Sequence, residues 1–158
     1  MKKYILIILL ALFYNCKNKL CYEERSINEM KELFLKDNLN YGFYQSLIEY
    51  KLSNEELEMS IKLIKKAFRE YNNNLKIKGY KREALPNFKK YSYILSSCLD
   101  EKRNKLVFIN GYLTNGSCPD LGSLKEWYEV FDGGNSMIQF RMNLSEKSVS
   151  YIMPNGEA

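Results

Sequence analysis

The hydrophobic period changes once along this chain, and that change limits the fold more than any other feature. Up to about residue 74 the apolar residues recur at helical spacing; beyond it they alternate. Leu57, Ile61, Ile64, Phe68 and Tyr71 make one stripe, because side chains three or four apart share a helix face. Ser53 and Glu56 form an S-x-x-E capping box at its start, and Leu52 and Leu57 take the two positions of a hydrophobic staple. Glu55, Glu56 and Glu58 near the start, with Lys65, Lys66 and Arg69 near the end, complement the helix dipole. Asn72, Asn73 and Asn74 are read as the stop. A shorter helix opens earlier at a second capping box, Ser26 and Glu29, and carries Ile27, Met30, Leu33 and Phe34 to about Asp37. Residues 41–52 are ambiguous between helix and extended chain.

The alternating half reads as strands. Residues 75–81 are a first candidate. Residues 88–99 are a longer one, with Tyr91, Tyr93, Leu95 and Leu99 on one face. A charged turn at 100–104 leads into a return strand at 105–113. Asn110-Gly111 and Asn115-Gly116 are turn or bulge signals. Residues 114–124 are a loop. Residues 125–143 read as two antiparallel strands folded about Asp132, Gly133, Gly134 and Asn135, with Trp127, the single tryptophan, anchoring the core. Residues 148–153 pair back across a turn. Helices segregated from strands predict an α+β fold: two to three N-terminal helices on an antiparallel sheet of five to six strands in meander order.

The first 15 residues are set apart. Met1-Lys2-Lys3 is a cationic start, and 4–13 is an unbroken apolar run. Ten helical residues cover about 15 Å, half of a hydrocarbon core, which favours a signal peptide over a spanning helix. Cys16 follows, with Phe13, Tyr14 and Asn15 where the lipobox of bacterial lipoproteins has Leu and small residues. A lipidated Cys16 is the expectation; an uncleaved anchor and ordinary secretion are the alternatives. The expected organisation is a signal peptide at 1–15, a tether at 16–25 and a single domain at 26–158. Lys2 and Lys3 leave with the leader, which lowers the net charge from +5 to +3. That is too mild for a nucleic-acid footprint. Lys76, Lys78, Lys81, Arg82, Lys89 and Lys90 interleave with aromatic residues and read as a solvated sheet edge.

The chain has no histidine, so triad chemistry and imidazole metal sites are excluded. Of the four cysteines, Cys98 near a strand end and Cys118 in the following loop are the disulfide candidates, with free, half-buried thiols as the alternative. Glu126, Glu129 and Asp132 are the only carboxylates whose spacing raises the idea of a hydrolase; turn chemistry at Asp132 is the preferred explanation. No catalytic residue, metal or cofactor is expected.

Residues 52–73 and 105–110, Trp127, Asp132-Gly133-Gly134 and the ending Asn155-Gly156-Glu157-Ala158 are together similar to a group of small exported proteins from Bacteroidota-type bacteria. The resemblance implies a lipoprotein of the cell envelope with no assigned catalytic residues. The functional expectation is a membrane-tethered, non-catalytic binding module, inhibitor- or immunity-like in one version. Its partner would be a protein or envelope component, met by the sheet face or by the loop 114–124 through exposed tyrosines. The alternative is a carboxylate-dependent envelope hydrolase.

Overall fold

In the computed structural model, which describes residues 20–36, 44–79, 84–121, 134–150 and 152–155, the period changes at Gly79 and not at Asn72. The elements are β1 (Cys21–Glu24), α1 (Ile27–Lys36), β2 (Ile48–Glu49), α2 (Asn54–Lys78), a 3-10 turn (Phe88–Lys90), β3 (Tyr91–Leu99), β4 (Lys105–Leu113), β5 (Gly134–Asn143), β6 (Ser148–Val149) and β7 (Met153–Asn155). The class is α+β, with α2 the main helix on a sheet of 7 strands.

At the start of α2 the capping box forms as read. The Ser53 side chain accepts from the Glu56 N–H, and the Glu56 carboxylate accepts from the Ser53 N–H at 2.8 Å. Its end lies further on. Three asparagines in a helix cost roughly 2 kcal/mol against alanine. Burying Leu75, the next residue of the stripe, returns about 1.5–3 kcal/mol. Asn72 adds two bonds, its Nδ2 donating to the Leu85 carbonyl at 2.9 Å and its Oδ1 accepting from the Leu85 N–H at 2.8 Å. The helix therefore runs on until Gly79, which takes φ +86° and donates to the Leu75 and Lys76 carbonyls. That left-handed residue is a helix stop suited to glycine. The strand expected at 75–81 is thus the last turn of α2 as far as Lys78, and Lys76 and Lys78 lie at a helix end and not on a sheet edge.

The sheet is mixed. β3, β4 and β5 pair antiparallel in chain order, but β1 runs parallel to β3, from Cys21 opposite Ser92 to Glu24 opposite Leu95. The expected all-antiparallel meander fails there. Parallel neighbours need a long crossover, and α1 and α2 lie between β1 and β3 in the chain. Residues 21–24, expected to be tether, are this edge strand. β2 pairs antiparallel with the end of β3. On the outer side of β5, β6 and β7 replace the single strand expected at 148–153.

All nine residues of β3 are buried, so the sheet is covered on both faces at that strand. On one face Tyr91, Tyr93, Leu95, Val107, Ile109, Ile138, Phe140 and Met142 pack with Ile64, Phe68 and Tyr71 of α2. On the other, Cys98 and Leu106 pack with Ile27, Met30 and Leu47. Gly111 sits between Tyr93 and Ile138; a Cβ there would lie 2.8 Å from Ile138 Cγ1. Asn110-Gly111 is therefore mid-strand and not a turn. Asn115 and Gly116 do take turn conformations, with φ of +54° and +86°.

One ion pair fastens α2 to the sheet. Lys105 Nζ donates to Glu56 Oε1 at 2.6 Å, and the Tyr50 hydroxyl donates to the same carboxylate at 2.8–2.9 Å. Burial alone would raise the Glu56 carboxyl, but hydrogen bonds from Lys105, the Ser53 N–H and Tyr50 outweigh it and hold it below the usual range. A carboxylate depressed by folding contributes stability above its unfolded pKa, and loses it as pH falls through the folded value. The stability difference between wild type and Glu56→Gln is therefore expected to be largest at pH 7 and to shrink below pH 4, as read by urea unfolding. A difference independent of pH would show that the ionised carboxylate adds nothing.

Candidate binding groove on the second sheet face

Alternation along β4 and β5 puts Phe108 opposite Arg141, Asn110 opposite Gln139 and Tyr112 opposite Met137, on the face away from α2. α1 packs at the Cys98 and Leu106 end of this face. Beyond it lies a groove of about 280 Å³, lined by Phe108 and Asn110 of β4, Gln139 and Arg141 of β5, Met153 of β7, Ser150, Tyr44 and Met30. The rings of Tyr44 and Phe108 lie 5.9 Å apart. Ser150 is tied to β5 in both directions: its N–H donates to the Arg141 carbonyl, and its Oγ accepts from the Arg141 N–H, each at 2.8 Å. Met153 is 56% exposed and places a thioether at the mouth.

Arg141 is the single charged side chain among the described lining residues, and none of them is a carboxylate. Burial raises the Tyr44 phenol, and the Arg141 charge partly opposes that rise. Among the described residues, Ser96 Oγ, Asn110 Nδ2 and Tyr112 Oη are buried polar atoms without a hydrogen-bond partner. All three belong to this face, since Ser96 pairs with Phe108 and Tyr112 lies two residues beyond Asn110. Burial raises the Tyr112 phenol, and the Arg25 charge and the Asn110 amide partly oppose that rise. Asn110 is only 2% exposed, and an unpaired amide at that depth is worth roughly 1–3 kcal/mol of destabilisation.

The expected disulfide is corrected. Cys118 is bridged, but to Cys21, with Cα atoms 5.4 Å apart. Cys98 is a buried free thiol, pushed up to about 12 by burial. The reason is position along β3. Cys21 sits opposite Ser92, and Cys98 is six residues further on. Six strand residues span about 20 Å, well beyond the 7 Å that a disulfide tolerates. The loop carrying Cys118 is fastened at the Ser92 end. The Thr114 N–H donates to the Lys90 carbonyl at 2.9 Å, Ser92 Oγ donates to the Ser117 carbonyl at 3.0 Å, and Arg25 donates to the Leu121 carbonyl. The described part of the loop is a strap across the sheet end.

Cys16, Trp127, Asp132 and Gly133, with the carboxylates Glu126 and Glu129, lie outside the described residues. Gly134 opens β5 with φ +50°. Tyr91 and Tyr93 are core groups, their hydroxyls donating to the Asn135 and Phe88 carbonyls at 2.7 and 2.6 Å. Asn110, Gln139, Arg141 and Tyr44 were not singled out as site residues by the sequence. One signal was available: Gln139 and Arg141 interleave with Ile138, Phe140 and Met142, which marks a strand with one polar face. Among the described residues no cluster of acidic or cysteine side chains is gathered for a metal, and no helix is long and apolar enough to cross a membrane. No family model, no curated protein and no solved structure matches the chain.

Proposed function

We propose that this is an exported protein, held to a membrane of the cell envelope by a lipid on Cys16, whose domain binds an envelope partner without catalysing a reaction. The observation that carries the reading is the groove. Its described lining is aromatic, thioether, amide and guanidinium, groups that recognise, orient and exclude water, with no carboxylate pair positioned for acid/base work. The leader pattern supports export, and so does the Cys21–Cys118 bridge, because disulfides persist in oxidising compartments. An inhibitor or immunity protein is the concrete version that fits this size.

The test has two arms. In cell fractionation the wild-type chain is expected with membranes and Cys16→Ser in the soluble fraction. Unchanged partitioning and unchanged gel mobility of Cys16→Ser would overturn the lipid tether. In cross-linking to its own envelope, the wild-type protein is expected to capture a partner that Arg141→Glu loses by about tenfold, the scale of one charge-assisted contact. Arg141 is exposed, so the variant should fold. Equal capture by both would overturn the groove as the contact.

A further inference from the structure

Much of the positive charge of this chain lies on one helix face, near the end of the sheet from which the tether leaves. We propose that the outward face of the second half of α2 lies on anionic lipid headgroups of the membrane that holds the tether, with Ile77 dipping between them. The inference rests on the tether reading and adds a second membrane contact, made by the folded domain itself.

Four observations carry it. The first is the face. Lys62, Lys65, Lys66, Arg69 and Lys76 are exposed and, at their spacing, point away from the buried stripe of Ile64, Phe68, Tyr71 and Leu75. Glu70 is the one acid among them, paired with Lys66 at 3.8 Å, and Glu58 stands one turn before Lys62. From Lys62 to Ile77 the helix carries five basic residues and one acidic residue, a balance of +4 against +5 for the whole chain. The second is that the helix dipole does not call for this charge. α2 runs to Lys78, so Lys62, Lys65, Lys66 and Arg69 stand two or more turns before its end, and the dipole acts within the last turn. The third is Ile77, 83% exposed between Lys76 and Lys78. Basic residues beside an exposed apolar one suit a helix lying in a membrane interface, where the lysine stems cover apolar surface and keep their charges in the headgroup layer. The fourth is place. α2 starts beside Lys105, which stands opposite Leu99. Its later turns reach the other end of β3, where Phe68 meets Phe88 and Tyr91 and Asn72 bonds Leu85. β1 begins at that same end, with Cys21 opposite Ser92, and Leu20 belongs to the buried cluster of Phe68 and Tyr71. Lys90 is exposed there too, whereas Lys89 and Asp120 each engage another group. From Cys16 to Leu20 the chain spans at most about 14 Å, and a helix with its side chains is about 10–12 Å across. A lipid on Cys16 therefore holds the outward face of α2 within reach of the bilayer.

The experiment reads how close this face comes to lipid. Full-length protein purified from membranes is reconstituted into vesicles that carry a nitroxide quencher on some of their headgroups. A fluorophore is placed on Asn73→Cys, at the centre of the face, or on Lys102→Cys, in the turn at the far end of β3. Cys98 is buried and Cys21 and Cys118 are bridged, so they do not take up the label in the folded chain. In phosphatidylcholine vesicles containing phosphatidylglycerol, quenching on Asn73→Cys is expected to exceed that on Lys102→Cys severalfold. It should fall to the Lys102→Cys level in pure phosphatidylcholine, and in 1 M salt, where charges are screened beyond about 3 Å. A basic residue at an anionic surface is worth about fivefold in binding, so Lys65→Gln, Arg69→Gln and Lys76→Gln together should weaken docking about a hundredfold. All three positions are exposed, and the urea midpoint should stay close to wild type. Ile77→Ser should weaken docking severalfold without changing its salt dependence. Equal quenching at the two positions, or undiminished quenching in pure phosphatidylcholine or in the folded triple variant, would overturn anionic lipid as the occupant of the face. Unchanged docking of Ile77→Ser would overturn the insertion of Ile77. Should the triple variant not fold, lipid composition and salt decide with the helix charges intact. If the chain stays with the vesicles while the two labels quench alike, this inference falls and the tether reading stands; if the chain does not stay with the vesicles, both fall.

Discussion

Cys118→Ser is expected to destabilise the domain by about 4–5 kcal/mol, because the lost bridge had closed a loop of sequence separation 97 and the chain-entropy model assigns about 4.7 kcal/mol to a loop near 100 residues. Domains of this size hold roughly 5–15 kcal/mol in total, so the variant should be close to its unfolding midpoint at body temperature. Structurally the bridge joins the edge strand β1 to the strap that follows β4. β1 has four residues and, among the described residues, one pairing partner. Without the bridge it is the element most exposed to detachment, and Arg25, which donates to the Leu121 carbonyl, would lose its alignment with it. Urea unfolding of wild type with and without reductant, and of Cys118→Ser, should give the same loss. Cys98→Ser should behave differently, retaining the reductant-sensitive step. Alkylation of the unfolded, unreduced protein should label Cys98 and leave Cys21 and Cys118 unlabelled. Labelling of Cys118 together with an unchanged midpoint for Cys118→Ser would refute the bridge as a stabiliser.

Phe68→Ala is expected to cost roughly 3–5 kcal/mol, the range for truncating a buried aromatic ring. Phe68 is 4% exposed and meets three rings edge-on: Tyr91 at 5.3 Å, Phe88 at 6.5 Å and Tyr93 at 6.5 Å. Such pairs add about 0.5–1.5 kcal/mol beyond area burial. The cavity has little chance to collapse, because Tyr91 and Tyr93 are held by their own hydroxyl bonds to Asn135 and Phe88. The control is Ile77→Ala on the same helix. Ile77 is 83% exposed, and surface changes of this kind stay within about 0.5 kcal/mol. A thermal or urea midpoint for Phe68→Ala within error of that control would mean that α2 does not pack on the sheet through this face.

Ile77 also shows where sequence reasoning misled. Its alternation with Leu75 looked like the start of a strand. Pattern cannot tell the last turn of a helix from a short strand when two apolar residues are two apart. What decided it was Leu75, buried against the sheet four residues after Tyr71, and Asn72, whose side chain bonds the backbone of Leu85. Neither partner is local. The same holds for Asn110-Gly111. As a dipeptide it signals a turn. In the sheet, Gly111 leaves room for Ile138 beside Tyr93, and Asn110 points to the other face.

The capped stripe of α2, the hairpin of β3 and β4, a strand leading to Asn143 and the α+β class were legible in the sequence. Each of these depends on residues within a few positions of one another, where helix and strand periodicities act. Only the tertiary structure decided that Cys21–Glu24 joins the sheet in parallel, that Cys118 bridges to Cys21, and that Tyr44, Asn110, Gln139 and Arg141 share a groove. Those outcomes depend on which strand lies beside which. A strand's neighbour is chosen by burial summed over the whole sheet, and no local pattern in Cys21–Glu24 encodes it.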